Sequence, residues 1–152
     1  MKTSKPKYIP VFNFSTVDDT VALANALLNL ESKGYKYSSD KYKAEAREFV
    51  RTTFVQYIAS YGMYAVAEVK FSKGRRWRID YVVSKEDKSP VRVALEVEGG
   101  VWSFGRHTRG SGFVKDMEKY NEVARNKMFV VRVTPLQLFT EYTINLLKDI
   151  IL

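Results

Sequence analysis

A chain of 152 residues with 45% hydrophobic and 14% aromatic side chains is long enough to bury one core and too apolar to be wholly disordered. It has no cysteine and a single histidine, His107, which excludes a disulfide framework, a thiolate zinc site and a multi-histidine centre, so any metal must be held by oxygen. A formal charge of +8 and a pI near 9.6 point to a polyanionic partner, and nucleic acid is favoured over a membrane because no strongly basic amphipathic helix is evident. No run approaches the ~18 apolar residues of a membrane span, and Met1 to Lys5 lead into no signal-peptide core, so an intracellular protein is expected.

Residues 1–14 carry Lys2, Lys5, Lys7, Pro6 and Pro10 and read as a basic arm, loose or laid over the surface of the single domain formed by residues 15–152. Ser15, with Asp18 three positions on, predicts a helix cap, and Val17, Val21, Leu23, Ala24, Leu27, Leu28 and Leu30 predict a helix to Ser32, stopped by Gly34. Ala46, Phe49, Val50, Thr53, Phe54, Tyr57, Ile58 and Tyr61 predict a second helix over residues 41–61, ended by Gly62. Residues 64–71 form a strand that Ser72-Lys73-Gly74 turns into the next, where Trp77, Ile79, Tyr81 and Val83 alternate with Arg78, Asp80 and Val82. Val91, Val93, Leu95 and Val97 then alternate with Arg92, Ala94, Glu96 and Glu98. Gly99, Gly100, Gly105, Gly110 and Gly112 mark a flexible loop that has neither dinucleotide nor P-loop spacing. Residues 113–126 are predicted helical and 128–133 a buried strand. Thr134-Pro135 is expected to open a last helix on Leu136, Leu138, Phe139, Ile144, Leu146, Leu147 and Ile150. Trp77, Tyr120 and Phe129 are expected in the core.

If residues 84–90 reverse the chain, the apolar faces of the second and third strands enter one core and Asp80, Glu96 and Glu98 converge on the opposite side. Opposed like charges in a sheet repel by roughly 0.2–1 kcal/mol, and a divalent cation turns that repulsion into binding. The alternative is an exposed sheet face on which Arg78 and Arg92 pair with the acids.

An α-β-β-β-α-β order with an acid on the middle strand and an acid pair on the next resembles the PD-(D/E)xK nuclease superfamily. The run Leu95-Glu96-Val97-Glu98-Gly99-Gly100-Val101-Trp102, then Gly105 to Gly110, then Phe113, Asp116, Glu118, Lys119, Tyr120 and Asn121, is similar to its small phage- and prophage-encoded members. The resemblance spans residues 42–134. It implies a restriction-endonuclease-like αβββαβ core, in an α/β fold whose mixed central sheet is flanked by helices, with extra N- and C-terminal helices. It implies Asp80, Glu96 and the Val97 carbonyl as ligands of Mg2+, with Mn2+ a possible substitute. Glu98 stands where the superfamily usually has lysine. Some members supply that lysine from the following helix, where Lys119 is the first candidate and Lys115 the second. Many also use an acid on the helix before the sheet, for which Glu48 fits somewhat better than Glu45, either being otherwise a solvated helix acid.

The activity implied is metal-dependent hydrolysis of DNA by water activated at the bound ion, with Lys119 placing that water or stabilising charge on the phosphate, and Glu98 binding a second metal or orienting water. Arg75, Arg76 and Arg78 before Asp80, and Arg106, His107 and Arg109 after Glu98, flank the site and suit phosphate contacts without sequence choice. The arginines before Asp80 otherwise form an ordinary charged turn. A noncatalytic DNA-binding or recombination module of the same fold, which Glu98 in place of lysine favours, and an RNA-processing nuclease are the competing readings. A homodimer is compatible with each.

Overall fold

The period-2 runs pair into one sheet and the helical runs cover it. The computed structural model describes residues 4–99 and 110–152, and the fold is mixed α/β. Among the described residues the helices are α1 (Thr20–Ser32), α2 (Asp40–Ser60), α3 (Gly110–Arg125) and α4 (Glu141–Ile151). The strands are β1 (Tyr64–Lys70), β2 (Arg78–Ser84), β3 (Arg92–Val97) and β4 (Met128–Val133), in the order β1-β2-β3-β4. β1, β2 and β3 are antiparallel neighbours, whereas β4 lies parallel to β3 after the long crossover that parallel pairing requires, which contains α3.

Local chemistry sets the helix ends. α1 begins at Thr20, later than the capping signal at Ser15 suggests: the Asp19 carboxylate accepts from the Ala22 amide, and residues 14–16 form a 3-10 turn that Asn13 caps. Ser39 caps α2 by accepting from Tyr42 N, and Gly34 and Gly62, at φ +85° and +75°, close α1 and α2 where a side chain would be strained. The predicted last helix is interrupted. Thr134-Pro135 opens only a 3-10 turn at Pro135–Gln137, stabilised by the Gln137 side chain on Thr134 N, and α4 starts at Glu141, leaving Leu136, Leu138 and Phe139 in the connection. α3 begins at Gly110, three residues before the expected Phe113, so Gly110 and Gly112 belong to the helix and not to the loop. The N-terminal arm is laid down, at least in part: Tyr8 bridges Lys36, Ile9 is buried, and Tyr42 Oη donates to the Pro10 carbonyl.

Two apolar clusters sandwich the sheet. Tyr81, Val83, Val93, Leu95, Val131 and Val133 pack with α1, α2 and α4, whereas Ala94, Val82 and Met128 pack with Val123 and Tyr120 of α3. Phe54 of α2 is the hub of the larger cluster, touching Tyr57, Tyr81 and Phe139 ring to ring. Phe129 corrects the sequence reading. It lies on the same side of β4 as the buried Val131 and Val133, but at the start of an edge strand, and is 56% exposed and part of neither cluster. Trp77 is half-buried, stacked on Phe71 beneath the Arg75 guanidinium. No helix among the described residues is long and apolar enough to cross a membrane.

This division of the aromatics is testable by urea unfolding. Phe54→Ala should cost about 3–5 kcal/mol, the range for emptying a fully buried aromatic site. Phe129→Ala should stay within about 0.5 kcal/mol of the parent.

Candidate active site

β2 and β3 stop pairing where the acids begin. Their ladder runs from Ser84–Arg92 to Tyr81–Leu95, and beyond it side chains replace backbone partners. The Val97 amide donates to Asp80 Oδ2 at 2.7 Å, and the Asp80 amide donates to Glu96 Oε2 at 3.4 Å. The two carboxylates therefore fill the gap between diverging strands and satisfy amides that would otherwise lack ladder partners.

β2 also turns over here. Ile79 and Tyr81 are two residues apart and would share a face in a regular strand, yet Ile79 packs in the α3 cluster and Tyr81 in the other. Asp80 thereby lines a cleft of about 730 Å3 together with Glu31, Tyr37, Arg47, Arg51, Glu68, Val97 and Gly99, between α1, α2 and the end of the sheet. The partner strand is distorted opposite it. Ala67 pairs with Tyr81 and Val69 with Ile79, and between them Glu68 takes φ +53°, a left-handed conformation that costs a non-glycine residue ~1–3 kcal/mol and is unusual inside a strand. Glu68, Arg51 and Arg47 carried no sequence signal, because each is one charged residue among many until the fold places it beside Asp80.

Glu96 faces the other way, toward α3, and is only 6% exposed. The Lys119 ammonium forms an ion pair with its Oε1, in a close contact that leaves both groups partly or fully buried. Burial pushes the Glu96 carboxyl up to about 7; the Lys119 contact opposes that shift and the Asp80 carboxylate adds to it. Lys119 thus stands where a lysine from the following helix has to stand to meet the acid pair.

Glu98 does not join Asp80 and Glu96. Its Oε1 accepts from Arg132 Nε at 2.8 Å and from Tyr120 Oη at 3.1 Å, and the Arg132 guanidinium lies over the Tyr120 ring. Glu98 and Arg132 tie β3 to β4, and Tyr120 ties both to α3 next to Lys119, so Glu98 holds the helix that carries that lysine. Tyr120 is accordingly more than a core residue. Burial and the Glu98 carboxylate raise its phenol above the usual tyrosine range.

The remaining expected residues are dispersed. Glu48 is 69% exposed, pairs with Arg51 at 3.2 Å, and lines a separate shallow groove with Phe12, Asn13, Glu45 and Phe49. Arg75 pairs with Glu118 at 3.4 Å, Arg78 with Glu68 at 3.6 Å, and Arg76 is exposed. Arg92 donates to the Asn126 carbonyl beyond the end of α3, so the pairing of Arg78 and Arg92 with the acid set takes a different form: each has another partner. Lys115 is exposed on the first half of α3. Arg106, His107, Arg109 and Trp102 lie outside the described residues.

Asp80 and Glu96 offer only hard oxygen donors, the chemistry that Mg2+ prefers. Among the described residues no three acids or histidines are grouped to hold a metal by themselves. Comparison of the chain with protein-family models, with curated proteins and with solved structures finds no match in any of the three.

The raised Glu96 carboxyl has a definite sign. Its proton is held more tightly in the folded state than at the ordinary value of 4.5, so its contribution to stability is complete below about pH 4.5 and is lost as pH rises to about 7. Glu96→Gln should flatten that segment of the stability profile and gain on the parent near pH 8 by a few kcal/mol at most. Carbon-13 NMR titration should show Glu96 near 7 in the parent and higher in Lys119→Met. A Glu96 titrating near 4.5 in both would contradict the burial argument.

Proposed function

We propose that this protein is a metal-dependent nuclease of the restriction-endonuclease-like type that hydrolyses phosphodiester bonds in DNA. The observation that carries the reading is the placing of Asp80, Glu96 and Lys119 at the parting of β2 and β3. Two acids from adjacent strands meet in the gap, and a lysine from the next helix reaches the second of them. The αβββαβ order and the mixed sheet support the same type.

Asp80, Glu96 and the Val97 carbonyl are the residues that would hold Mg2+ or Mn2+. Such an ion, when bound, makes water more acidic and offsets charge on the scissile phosphate. Hydrolysis joins a water oxygen to phosphorus and breaks one phosphorus–oxygen ester bond, with the proton passing to the departing oxygen. In this scheme Lys119 orients the attacking water and stabilises charge growing on the phosphate, a role realised in the transition state. Glu98, Tyr120 and Arg132 fix α3 so that the ammonium stays in place. Glu98 therefore acts as a positioning residue in this reading, and a second metal on it is not part of the scheme. Arg75 and Arg76 on the β1–β2 turn, with Arg106, His107 and Arg109, supply sequence-independent phosphate contacts.

Incubating linear, nicked, flapped and four-way DNA with Mg2+, Mn2+ or chelator tests the reading. Cleavage should require the metal and vanish in Asp80→Ala and Glu96→Ala, while DNA binding survives. Binding by both variants and the parent without metal-dependent cleavage of any substrate would instead favour the noncatalytic module.

Lys119→Ala should lower kcat by at least about tenfold, leaving DNA affinity within about threefold, since its contribution belongs to the transition state. Lys115→Ala should do much less. Equal turnover by the parent and Lys119→Ala would remove the lysine from the mechanism.

A further inference from the structure

Glu68 stands directly across from Asp80 and is held by arginines from two elements. Arg51 of α2 brings Nε within 3.3 Å of Glu68 Oε1, and Arg78 of β2 brings a terminal nitrogen within 3.6 Å of Oε2. Two guanidinium groups directed at the two oxygens of one carboxylate make the arrangement that receives an oxyanion, and arginine suits it because its planar fork is preorganised. Glu68, Arg51 and Asp80 all line the same cleft. The side chains of Arg51 and Glu68 are each about one-third exposed and Arg78 about one-half, so an incoming anion can compete for the pair. Position 68 has a left-handed backbone, which glycine and asparagine tolerate best; a glutamate there keeps a carboxylate in the clamp at the expense of conformational strain.

We propose that Arg51, which lines the Asp80 cleft, and Arg78, which reaches Glu68 from β2 outside that lining, form a phosphate-binding clamp that Glu68 occupies until a phosphodiester displaces it. The identity of the anion as nucleic-acid phosphate rests on the nuclease reading, whereas the clamp itself rests on the geometry of the three side chains. Glu68 then acts as an internal competitor. Among the described residues it is the one carboxylate in contact with both arginines, Arg51 also pairing with the exposed Glu48 at 3.2 Å through a terminal nitrogen, and the clamp binds phosphate only as far as phosphate outcompetes it. Removing that carboxylate should tighten anion binding through these two arginines specifically.

The test measures binding in chelator, so that no cleavage occurs, using a fluorescein-labelled eight-nucleotide DNA single strand by anisotropy and inorganic phosphate by NMR of the arginine side-chain Nε–H signals. Glu68→Gly suits the left-handed backbone and removes the competitor; Glu68→Gln removes only the charge. Both should bind the DNA about tenfold more tightly, a difference typical of one charge-assisted contact, and the Arg51 signal should respond to phosphate at correspondingly lower concentration. Adding Arg51→Ala together with Arg78→Ala should cancel the gain. Glu122→Gln, which removes an acid paired with Arg125 at 3.4 Å on α3, should change affinity less than about twofold and so measures the effect of net charge alone. A gain that Glu122→Gln matches, or that survives loss of both arginines, would overturn the clamp, as would unchanged DNA and phosphate affinity in both Glu68 variants. Failure of the parent to cleave DNA with metal would remove the nuclease reading and leave these binding results standing.

Discussion

The divergence of β2 from β3 at Asp80 is the constraint on which the rest of the site depends. A sheet that stops pairing in its interior leaves amides without partners, and such groups cost ~1–3 kcal/mol each if left unsatisfied. Here the Asp80 and Glu96 carboxylates supply the missing acceptors. That substitution brings two negative charges into one gap, one of them almost fully buried, and the consequence is a carboxyl whose proton affinity is raised. The Lys119 ammonium offsets part of the cost, which requires α3 to sit where it does. The Glu98, Tyr120 and Arg132 contacts fasten α3 to β3 and β4 one residue away from that lysine.

The same divergence organises the opposite side of the sheet. Where β2 turns over, the Asp80 carboxylate enters the cleft below α1 and α2, and Glu68, between the paired residues across from it on β1, has a left-handed backbone. One site is thus assembled from two faces: a nearly dry half under α3 with Glu96 and Lys119, and an open half with Asp80, Glu68 and the arginines of α2. In the proposed nuclease the buried acid and base would serve a reaction whose charge develops in a protected place, while the arginines on the other side would hold the anionic chain.

Much of this was legible in the sequence, for physical reasons that differ by element. β2 and β3 announce themselves by strict alternation, and β4 by its apolar run, because a strand with a buried face has little choice of residue. Asp80, Glu96 and Lys119 could be named because acids interrupting apolar strands are conspicuous and because the spacing to the next helix resembles a known family. The turnover of β2 is not legible: it coincides with the left-handed backbone of Glu68 across the strand pair, and neither Glu68 nor Asp80 signals it by residue type. Glu68 and Arg51 are ordinary charged residues in sequence and acquire meaning only opposite Asp80. The interruption before α4 was missed because Leu136, Leu138 and Phe139 continue a helical apolar spacing, while the Gln137 side chain on Thr134 N favours a 3-10 turn. Phe129 shares the parity of the buried Val131 and Val133, so alternation alone places it in the core, whereas it stands exposed at the start of an edge strand.

In the proposed nuclease the gap between β2 and β3 is a divalent-cation site made by Asp80 and Glu96. Paramagnetic broadening by Mn2+ in amide NMR spectra tests it most directly, since it locates the ion without reference to activity. Low Mn2+ concentrations should broaden Tyr81, Val97 and their neighbours first, excess Mg2+ should reverse the effect, and Asp80→Asn should abolish it. Broadening centred on Glu118 and Glu122, or unaltered in Asp80→Asn, would contradict it.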